Sequence, residues 1–257
     1  MNRITDYQEL KVRIVNWIKD YHTQSGLQSL VVGVSGGIDS AVVSTLCAET
    51  GLPTYVVALP LNSTHQNTRL SDIYTKHLAE KYENVTRVEV ELSSVYDSLL
   101  HSINWWSEAQ HFDKKEFTSD ELTLANTKSR IRMVTLYQIA GSKKGIVIGT
   151  GNKVEDYGIG FYTKYGDGGV DIAPIADLYK TEVRELGGYL GVDALIIDAK
   201  PTDGLWEDGR SDEDQIGATY EELEEAMENG EGKAVDILYK FNNRNNHKMQ
   251  PIPTFKL

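Results

Sequence analysis

The residues between positions 33 and 40 form the stretch of this sequence that is best suited to bind a charged ligand. A short apolar run, Ser29 to Val34, leads directly into Ser35-Gly36-Gly37-Ile38-Asp39-Ser40, and helix-favouring residues follow. Glycine lets a backbone approach a ligand closely and adopt positive φ angles. Amide groups at the start of a helix, together with the two serine hydroxyls, would attract an anion such as a phosphate. The plainer alternative is a tight strand-to-helix turn with a helix cap.

Asp39 makes this turn unusual as an anion site, because a carboxylate repels a bare phosphate. A cation between the two groups would remove the repulsion, and Mg²⁺ is the natural candidate because it prefers oxygen ligands. The turn lacks the terminal Gly-Lys-Ser/Thr of the P-loop, and it does not match the dinucleotide fingerprint. The sequence therefore predicts a phosphate site in which Asp39 is a magnesium ligand.

Strands and helices alternate through the first part of the chain. Apolar runs predict strands at 29–34, 54–59, 85–92 and 145–149. Amphipathic or helix-favouring stretches predict helices at 4–21, 41–49, 70–82, 95–103 and 122–140. This alternation predicts an α/β fold, a Rossmann-like open parallel sheet with helices on both faces. Ligands bind such sheets beyond the carboxyl ends of the strands, which is where the turn at 35–40 lies.

The second part of the chain is less regular. Residues 150–174 are rich in glycine, and a loop of that length is usually functional or disordered. Surface helices are predicted at 179–190 and 212–228, and the Asn- and Pro-rich tail from Asn242 is expected to dock as an arm. Because no repeat, low-complexity tract or boundary is evident, we expect one domain over residues 1–257.

Composition excludes several classes of protein. The chain has 257 residues, of which 40% are hydrophobic and 25% charged, as in soluble globular proteins. A net charge of −12 disfavours sequence-independent nucleic-acid binding, which needs a basic surface. No apolar run reaches the roughly 20 residues that span a bilayer, and the N-terminus lacks a signal-peptide core. With Cys47 as the lone cysteine, these features predict a cytoplasmic protein that binds neither membrane nor nucleic acid.

The string at 35–40 resembles the pyrophosphate-binding loop of the ATP pyrophosphatases, which cleave ATP between the α- and β-phosphates. Further blocks follow, at 125–133, 148–155, 161–174, 177–183, 201–206, 211–214 and 247–248. Their order and spacing resemble the NAD synthetase family through nearly the whole chain. The resemblance implies the adenine nucleotide alpha hydrolase-like form of the predicted sheet. It also implies a ligase that uses ATP, Mg²⁺ and ammonia to amidate deamido-NAD⁺ through an adenylate.

The resemblance also assigns roles to single residues. It implies ATP contacts for Gly33, Val34, Ser35, Gly36, Gly37, Ile38, Asp39, Ser40, Thr150, Lys180 and Thr202. It implies that Mg²⁺ is bound by Asp39 and Glu155. Deamido-NAD⁺ would contact Arg130, Lys164, Asp171, His247 and Lys248. Catalysis would depend on Asp39, Lys180 and Asp171, with Asp171 as the candidate acceptor of a proton from the attacking nitrogen.

Plainer alternatives exist for several of these residues. Glu155 and Lys164 could be solvated surface residues, and Asp171 could brace the glycine-rich loop. The family often has arginine after the His-Lys pair where this chain has Met249, so its grip on phosphate would differ. Arg130 and Arg132 cannot share a helix face, so one can reach the site while the other packs elsewhere.

The family forms homodimers with the dinucleotide site near the interface, so the resemblance implies a two-fold dimer. Trp105 and Trp106 match no pattern; they are interface or core anchors, or a stacking surface for a nicotinate ring. Some relatives add a glutaminase domain with a nucleophilic cysteine. Cys47 lies in a predicted helix and is expected to be buried, so we expect no glutaminase domain here. Ammonia would then arrive free or from a separate protein.

Two other functions are compatible with the phosphate-binding turn. One is another adenylating ligase of the same group, acting on a different carboxyl or carbonyl. The other is a non-catalytic nucleotide sensor. Residues 164–171 favour deamido-NAD⁺ over other substrates, and the joint presence of Asp39, Glu155 and Lys180 favours catalysis over sensing.

Overall fold

A parallel sheet lies at the centre of the computed structural model, which describes residues 3–62, 65–113, 116–201 and 211–256. Its strands are β1 (Ser29–Gly33), β2 (Thr54–Ala58), β3 (Val85–Glu89) and β4 (Gly145–Ile148). They form a four-stranded sheet in the order β3-β2-β1-β4, and every pairing is parallel. All of the predicted strands are confirmed, with ends that differ by a few residues.

The central strand β1 is short and apolar because both of its faces are covered. Val31 pairs with Tyr55 of β2 on one side and with Val147 of β4 on the other. Leu30, Val31 and Val32 are fully buried, as expected for a strand inside a parallel sheet. Successive side chains point to opposite faces, so Val32 and Val31 belong to different hydrophobic clusters.

Helices cover both faces of the sheet, which confirms the predicted α/β architecture. In chain order they are α1 (Tyr7–Ser25), α2 (Ile38–Glu49), α3 (His65–Lys81), α4 (Ser93–Ala109), α5 (Glu121–Lys143), α6 (Lys180–Leu190), α7 (Ala194–Ile197), α8 (Asp212–Ile216), α9 (Tyr220–Asn229) and α10 (Val235–Met249). Helices α1, α2, α3 and α6 pack on the face of Val32. Helices α4 and α5 pack on the face of Val31.

The sheet helices also show which of their residues are buried. Cys47 is buried inside α2, as its position in the sequence predicts. Ile14 and Ile18 of α1 are buried, whereas Trp17 on the same helix is 45% exposed. Among the described residues, no helix is both long enough and apolar enough to cross a membrane.

Residues 150–174, predicted as an irregular loop, contain a π-helix at Lys153–Ile159. Asn152 begins it by accepting hydrogen bonds at Oδ1 from the backbone N–H of Val154 and of Glu155, both at 3.0 Å. Ile172 then makes a parallel bridge with Ile148 at the edge of the sheet. The prediction missed this order because a π-helix has a wider hydrogen-bond spacing than the helical period sought in the sequence.

The C-terminal part also differs from the prediction. The single helix predicted at 212–228 is divided into α8 and α9, because Gly217 ends α8 at φ +85° and Thr219 caps α9. The tail expected as an arm from Asn242 is helical as far as Met249. Its asparagines use their side chains in tertiary hydrogen bonds, from Asn242 to the carbonyl of Gly158 and from Asn245 to that of Ile159. The Asn-rich composition of this segment therefore predicted an arm where the structure has a helix.

A third hydrophobic cluster joins the π-helix to α8, α9 and α10. Val154 and Ile159 of the π-helix pack there with Ile216, Tyr220 and Leu223. This layer lies beside the sheet and fixes the π-helix that follows β4. It therefore determines where Glu155 points.

Candidate active site

A cavity of about 730 Å³ opens at the carboxyl ends of β1, β2 and β4. This is the size of a small-molecule site and the place where open parallel sheets bind ligands. Its wall includes most of the residues that the sequence assigns to ATP, namely Gly33, Val34, Ser35, Gly36, Gly37, Ile38, Asp39, Ser40, Thr150 and Lys180. It also includes Glu155, His247 and Lys248. Thr202, the remaining predicted ATP contact, lies outside the described residues.

The turn after β1 presents the start of α2 to this cavity. Gly36 adopts a φ of +92°, a conformation that glycine reaches without strain. The hydroxyl of Ser40 donates to the carbonyl of Gly37 at 2.9 Å and accepts from the backbone N–H of Ser35 at 3.2 Å. Gly37 starts α2 without a side-chain cap, so the amides of its first turn face the cavity as donors for an anion.

Lys180 connects the predicted metal ligands. Its Nζ atom lies 2.5 Å from Oδ2 of Asp39 and 2.9 Å from Oε1 of Glu155. Asp39 stands in the first turn of α2, Glu155 in the π-helix, and Lys180 is the first residue of α6. Three separate elements thus meet at one buried ammonium group. Local sequence assigns each of these residues a role, but only the fold shows that they contact one another.

The opposite charges in this group offset part of the effect of burial on each residue. Burial raises the pKa of Asp39, and the ammonium of Lys180 opposes that change. Burial alone would also raise the pKa of Glu155, but Lys180 and the hydrogen bond from Tyr220 hold it below its usual value. For Lys180, burial favours the neutral amine, yet the carboxylates of Asp39 and Glu155 raise its pKa above the usual value. The group therefore contains an ammonium between two carboxyl side chains.

Each of these carboxylates keeps an oxygen available for a cation. Oδ1 of Asp39 is buried and accepts no hydrogen bond, and Lys180 and Tyr220 both bond to Oε1 of Glu155 rather than to Oε2. The side-chain amide of Asn152 is close enough to both carboxyl groups to lower their pKa values. A buried oxygen without a donor is costly, and a hard cation would satisfy it. No group of three or more ligating side chains occurs among the described residues. Mg²⁺ commonly uses only one or two carboxylates together with substrate phosphates, so Asp39 and Glu155 fit it.

The residues that the sequence assigns to deamido-NAD⁺ fall into two groups. His247 and Lys248, near the end of α10, line the cavity. The ammonium of Lys248 donates to the carbonyls of Gly160 at 2.6 Å and Tyr162 at 2.7 Å. Lys248 therefore fastens α10 to the glycine-rich loop as well as lining the cavity.

Arg130, Lys164 and Asp171 do not line that cavity. Nε of Arg130 donates to the carbonyl of Lys164, and Nζ of Lys164 donates to the carbonyl of His247, each at 3.3 Å. Asp171 is exposed, and its carboxylate accepts from the hydroxyl of Tyr137 at 3.0 Å and from the backbone N–H of Val147 at 2.8 Å. Within one chain, the structure does not bring Asp171 to Lys180. Its contacts match the alternative in which it braces the glycine-rich loop.

Several cavity residues were missed in the sequence. Arg132 lines the cavity, whereas Arg130 does not, and Nε of Arg132 donates to the carbonyl of Leu59 at 3.2 Å. Helical geometry predicts that only one of the two arginines reaches the site, but the motif alone selected Arg130. Asp156 and Asp167 also line the cavity, and burial raises the pKa of both carboxyl groups. Their positions in the sequence could have identified them as site residues, since Asp156 follows Glu155 and Asp167 lies inside a motif used for the assignment.

Nothing in the sequence around Tyr220 identifies it as a residue of the site. Its side chain is fully buried at the start of α9, and its hydroxyl donates to Oε1 of Glu155 at 2.5 Å. Burial and the charge of Glu155 both raise the pKa of Tyr220, so the phenol remains protonated. A tyrosine 65 residues away from its carboxylate partner can be recognised only from the folded structure.

Known proteins resemble this chain over nearly its whole length. A model of the NAD synthase family matches residues 10–252. A protein from Carboxydothermus hydrogenoformans named NH(3)-dependent NAD(+) synthetase is 37% identical over 95% of both chains. One of the same name from Finegoldia magna is 34% identical over 98% of this chain and 97% of the relative.

Solved structures agree with this relationship. An NMN synthetase from Francisella tularensis has a TM-score of 0.87 and 33% identity, covering 99% of this chain and 100% of that one. An NH3-dependent NAD synthetase from Campylobacter jejuni has a TM-score of 0.75 and 25% identity, covering 98% and 100%. With the family match extending across the sheet, the cavity and α10, the chain belongs to the NAD synthase family.

Proposed function

We propose that this chain is an ammonia-dependent NAD⁺ synthetase, which converts deamido-NAD⁺, ATP and ammonia into NAD⁺, AMP and pyrophosphate. The observation that carries the proposal is the contact of Lys180 with both Asp39 and Glu155 beside the phosphate-binding turn. Relatives at 37% and 34% identity that bear this name support it.

The first step activates a carboxylate that is otherwise a poor electrophile. An oxygen of the nicotinate carboxylate attacks the α-phosphorus of ATP, forming one P–O bond while the bond to the pyrophosphate oxygen breaks. Negative charge grows on the leaving pyrophosphate. The amides of the turn at 35–40 and the ammonium of Lys180 line the cavity and are fixed before the reaction, so they can stabilise that charge. Thr150, and Thr202 by motif, complete the proposed ATP contacts.

Asp39 and Glu155 are the proposed ligands of Mg²⁺, through Oδ1 of Asp39 and through Oε2 of Glu155, to which neither Lys180 nor Tyr220 bonds. When bound there, Mg²⁺ would offset phosphate charge and orient the leaving group. Lys180 keeps the two carboxylates near each other, so the chain itself preorganises the ligands.

The second step forms the amide. Ammonia attacks the carbonyl carbon of the adenylate, the bond from that carbon to the AMP oxygen breaks, and the nitrogen loses a proton. Asp171 is the proton acceptor proposed from the sequence, but it lies on the surface outside the cavity of its own chain. A direct role for Asp171 therefore requires a dimer in which this surface faces the partner's cavity. Arg130 and Lys164 remain proposed contacts for deamido-NAD⁺ beside it.

We also propose that the enzyme works as a homodimer. Val95, Leu99 and Trp106 lie along one stripe of α4 and are 52%, 40% and 48% exposed, and neighbouring Trp105 is 66% exposed. An exposed apolar patch of this kind is typical of a protein interface, where tryptophan is a frequent anchor. This surface favours the interface role of the tryptophan pair over a core role.

The proposed organisation is a single domain that uses free ammonia. Cys47 is buried within α2 and burial raises the pKa of its thiol to about 12, so it is unsuited to act as a glutaminase nucleophile. A reduced, buried thiol is also compatible with our proposal that the enzyme is cytoplasmic.

Amidation of nicotinate mononucleotide is a second candidate function. It is favoured by the likeness to the Francisella tularensis NMN synthetase, which covers 99% of this chain with a TM-score of 0.87. Both reactions use the same nicotinate carboxylate and the same adenylation chemistry. They differ in whether the adenylate half of the dinucleotide is bound.

One assay tests both candidates. Purified protein is incubated with ATP, Mg²⁺, ammonium and either deamido-NAD⁺ or nicotinate mononucleotide, and the amide product, AMP and pyrophosphate are quantified. We expect equal amounts of the three products with deamido-NAD⁺ and a higher kcat/KM for it than for the mononucleotide. A higher kcat/KM for the mononucleotide would establish the second candidate. Pyrophosphate release that depends on neither nicotinate substrate would exclude both candidates, and no ATP cleavage would leave only a nucleotide sensor.

A further inference from the structure

The hydroxyl of Tyr220 is held firmly in place, although Tyr220 lies outside the recognised motifs. The side chain is fully buried, and its hydroxyl is 2.5 Å from Oε1 of Glu155. Its backbone is fixed as well, because Thr219 caps α9 and the N–H of Tyr220 donates to Oε1 of Glu213 at 3.1 Å. The ring packs in the cluster that joins the π-helix to α8, α9 and α10. Tyr220 therefore has little freedom to move away from Glu155.

Two donors converge on the same oxygen of Glu155. Tyr220 donates at 2.5 Å and Lys180 donates at 2.9 Å, and both bonds end on Oε1. A carboxylate oxygen accepts hydrogen bonds through two lone-pair positions, so these donors occupy Oε1. Neither of these two donors bonds to Oε2, and the side-chain amide of Asn152 is the further neighbour that lowers the pKa of Glu155. In this arrangement Oε1 of Glu155 bonds to the protein, and Oε2 is left for a ligand.

Removing the hydroxyl of Tyr220 would end this difference between Oε1 and Oε2 of Glu155. The terminal torsion of a glutamate has a broad energy profile, so the carboxylate rotates easily unless hydrogen bonds fix it. The ammonium of Lys180 carries three protons and can bond to either oxygen of Glu155. Without a second donor on Oε1, both oxygens of Glu155 become available to Lys180, and the cation loses a prepared ligand.

We infer that Tyr220 is a positioning residue, which orients Glu155 so that Oε2 is available to the divalent cation. The inference rests on the proposed assignment of Asp39 and Glu155 as ligands of Mg²⁺. It extends the metal site beyond its ligands to the layer formed by α8, α9 and α10. Phenylalanine would fill the same apolar cluster, and a buried hydroxyl is costly unless it makes a hydrogen bond. The hydroxyl of Tyr220 has two acceptors, and Oε1 of Glu155 at 2.5 Å is much closer than Oδ2 of Asp212 at 3.4 Å.

The test compares Tyr220→Phe with Tyr74→Phe. Tyr74 is a matched control because it is also buried and its hydroxyl is 2.6 Å from the hydroxyl of Thr45, but it does not line the cavity. Binding of Mn²⁺ is titrated by electron paramagnetic resonance in the presence of α,β-methylene-ATP, which cannot be cleaved at the α–β position. We expect Tyr220→Phe to weaken Mn²⁺ binding by about tenfold or more, as is typical of groups that orient metal ligands. Tyr74→Phe should bind Mn²⁺ like the unmodified protein.

A double-mutant cycle with Glu155→Gln provides the second measurement. If Tyr220 acts through Glu155, the loss of the hydroxyl should weaken Mn²⁺ binding no further in the Glu155→Gln background. An unchanged affinity in Tyr220→Phe, equal weakening in Tyr74→Phe, or fully additive losses in the cycle would each overturn the inference. Formation of NAD⁺ by the unmodified protein is assayed separately. Protein that makes no NAD⁺ yet shows the Tyr220 effect on Mn²⁺ would refute the proposed reaction and uphold the inference.

Discussion

Lys180 determines the charge balance at the base of the cavity. Its ammonium contacts the carboxylates of Asp39 and Glu155, and its side chain is only 4% exposed. The motifs identified these three residues individually, although Lys180 follows Asp39 by 141 positions. Sequence patterns could not show their contacts or reveal Tyr220, because the contacts arise where α2, the π-helix and α6 meet. Residue types were predictable, and their geometry was not.

Replacing Lys180 should therefore be costly. Lys180→Met leaves two buried carboxylates without their counter-ion, and removal of one partner from such a pair typically costs about 3–5 kcal/mol of unfolding free energy. The matched control is Lys153→Met, because Lys153 pairs with Asp177, whose side chain is 88% exposed. That pair should contribute less than about 1 kcal/mol. Urea denaturation measures both variants, and equal losses would contradict the buried-pair account.

Asp167 should make stability depend on pH. Burial raises its pKa, so its contribution to stability is complete when the carboxyl is protonated and is lost as pH rises through the folded-state pKa. Asp167→Asn removes this titration and retains an oxygen for the N–H of Thr163. We expect the unfolding free energy of the variant, relative to the unmodified protein, to increase as pH rises from about 4 through the folded-state pKa of Asp167.

The control variant, Asp120→Asn, should show the opposite dependence of stability on pH. Hydrogen bonds from the hydroxyl and N–H of Thr123 lower the pKa of Asp120. Its stabilising contribution is therefore present above the unfolded-state pKa and lost as pH falls. Asp120→Asn should lose stability relative to the unmodified protein as pH rises from 3 to 6. Parallel pH profiles for the two variants would contradict the assignment for Asp167.

At the scale of elements, the sheet and its covering helices were predictable because their apolar residues recur with the period of a strand or a helix. The layer that completes the site was not. The π-helix at Lys153–Ile159 does not have the residue spacing of an α-helix or a strand. Helix α10 contains asparagines, whose abundance in the sequence predicts a loose tail. Those asparagines bind backbone carbonyls of the π-helix. Tertiary contacts, which a single sequence does not display, therefore decide the structure of this layer.

Gly160 should be the most sensitive glycine of this layer. It ends the π-helix at a φ of +61°, and an added Cβ would lie 2.7 Å from Cβ of Asn245 in α10. Gly26→Ala is the control, since Gly26 has a φ of +67° and no atom within 4 Å of an added Cβ. Backbone strain should cost about 1–2 kcal/mol at either position.

Only Gly160→Ala must also displace α10 from the π-helix. We expect it to lose more stability than Gly26→Ala, in thermal denaturation, and to lose most of its NAD⁺ synthesis because Lys248 and Glu155 shift. Gly26→Ala should retain full activity at a temperature where it is folded. Equal stability losses with equal activities would show that α10 does not constrain the cavity.

At the scale of the whole molecule, the net charge of −12 coexists with a cavity whose wall carries several cationic side chains. Arg244, His247 and Lys248 from α10 line that cavity together with Arg132 from α5. Overall charge thus disfavours a sequence-independent nucleic-acid binder but gives no information about a nucleotide substrate. Concentrating a few cations in one cleft is sufficient, because field strength depends on local arrangement rather than on the total.

The quaternary structure gives a prediction at the same scale. The unmodified protein should sediment as a particle of twice the 28.7 kDa chain mass. Trp105→Glu places a charge on the exposed apolar surface of α4 and should shift the protein towards monomers at micromolar concentration. Leu195→Glu is the control, because Leu195 is 70% exposed on α7, away from α4. Sedimentation velocity distinguishes these outcomes, and dissociation of both variants or of neither would exclude α4 as the interface.

Transfer of an oxygen atom tests the central claim most directly. Deamido-NAD⁺ is labelled with ¹⁸O in both oxygens of its nicotinate carboxylate and converted with ATP and ammonia, and the products are analysed by mass spectrometry. If the carboxylate attacks the α-phosphorus, one labelled oxygen must appear in AMP and the other must remain in the amide. Label in orthophosphate or pyrophosphate, or AMP without label, would contradict adenylation at the site of Asp39, Glu155 and Lys180.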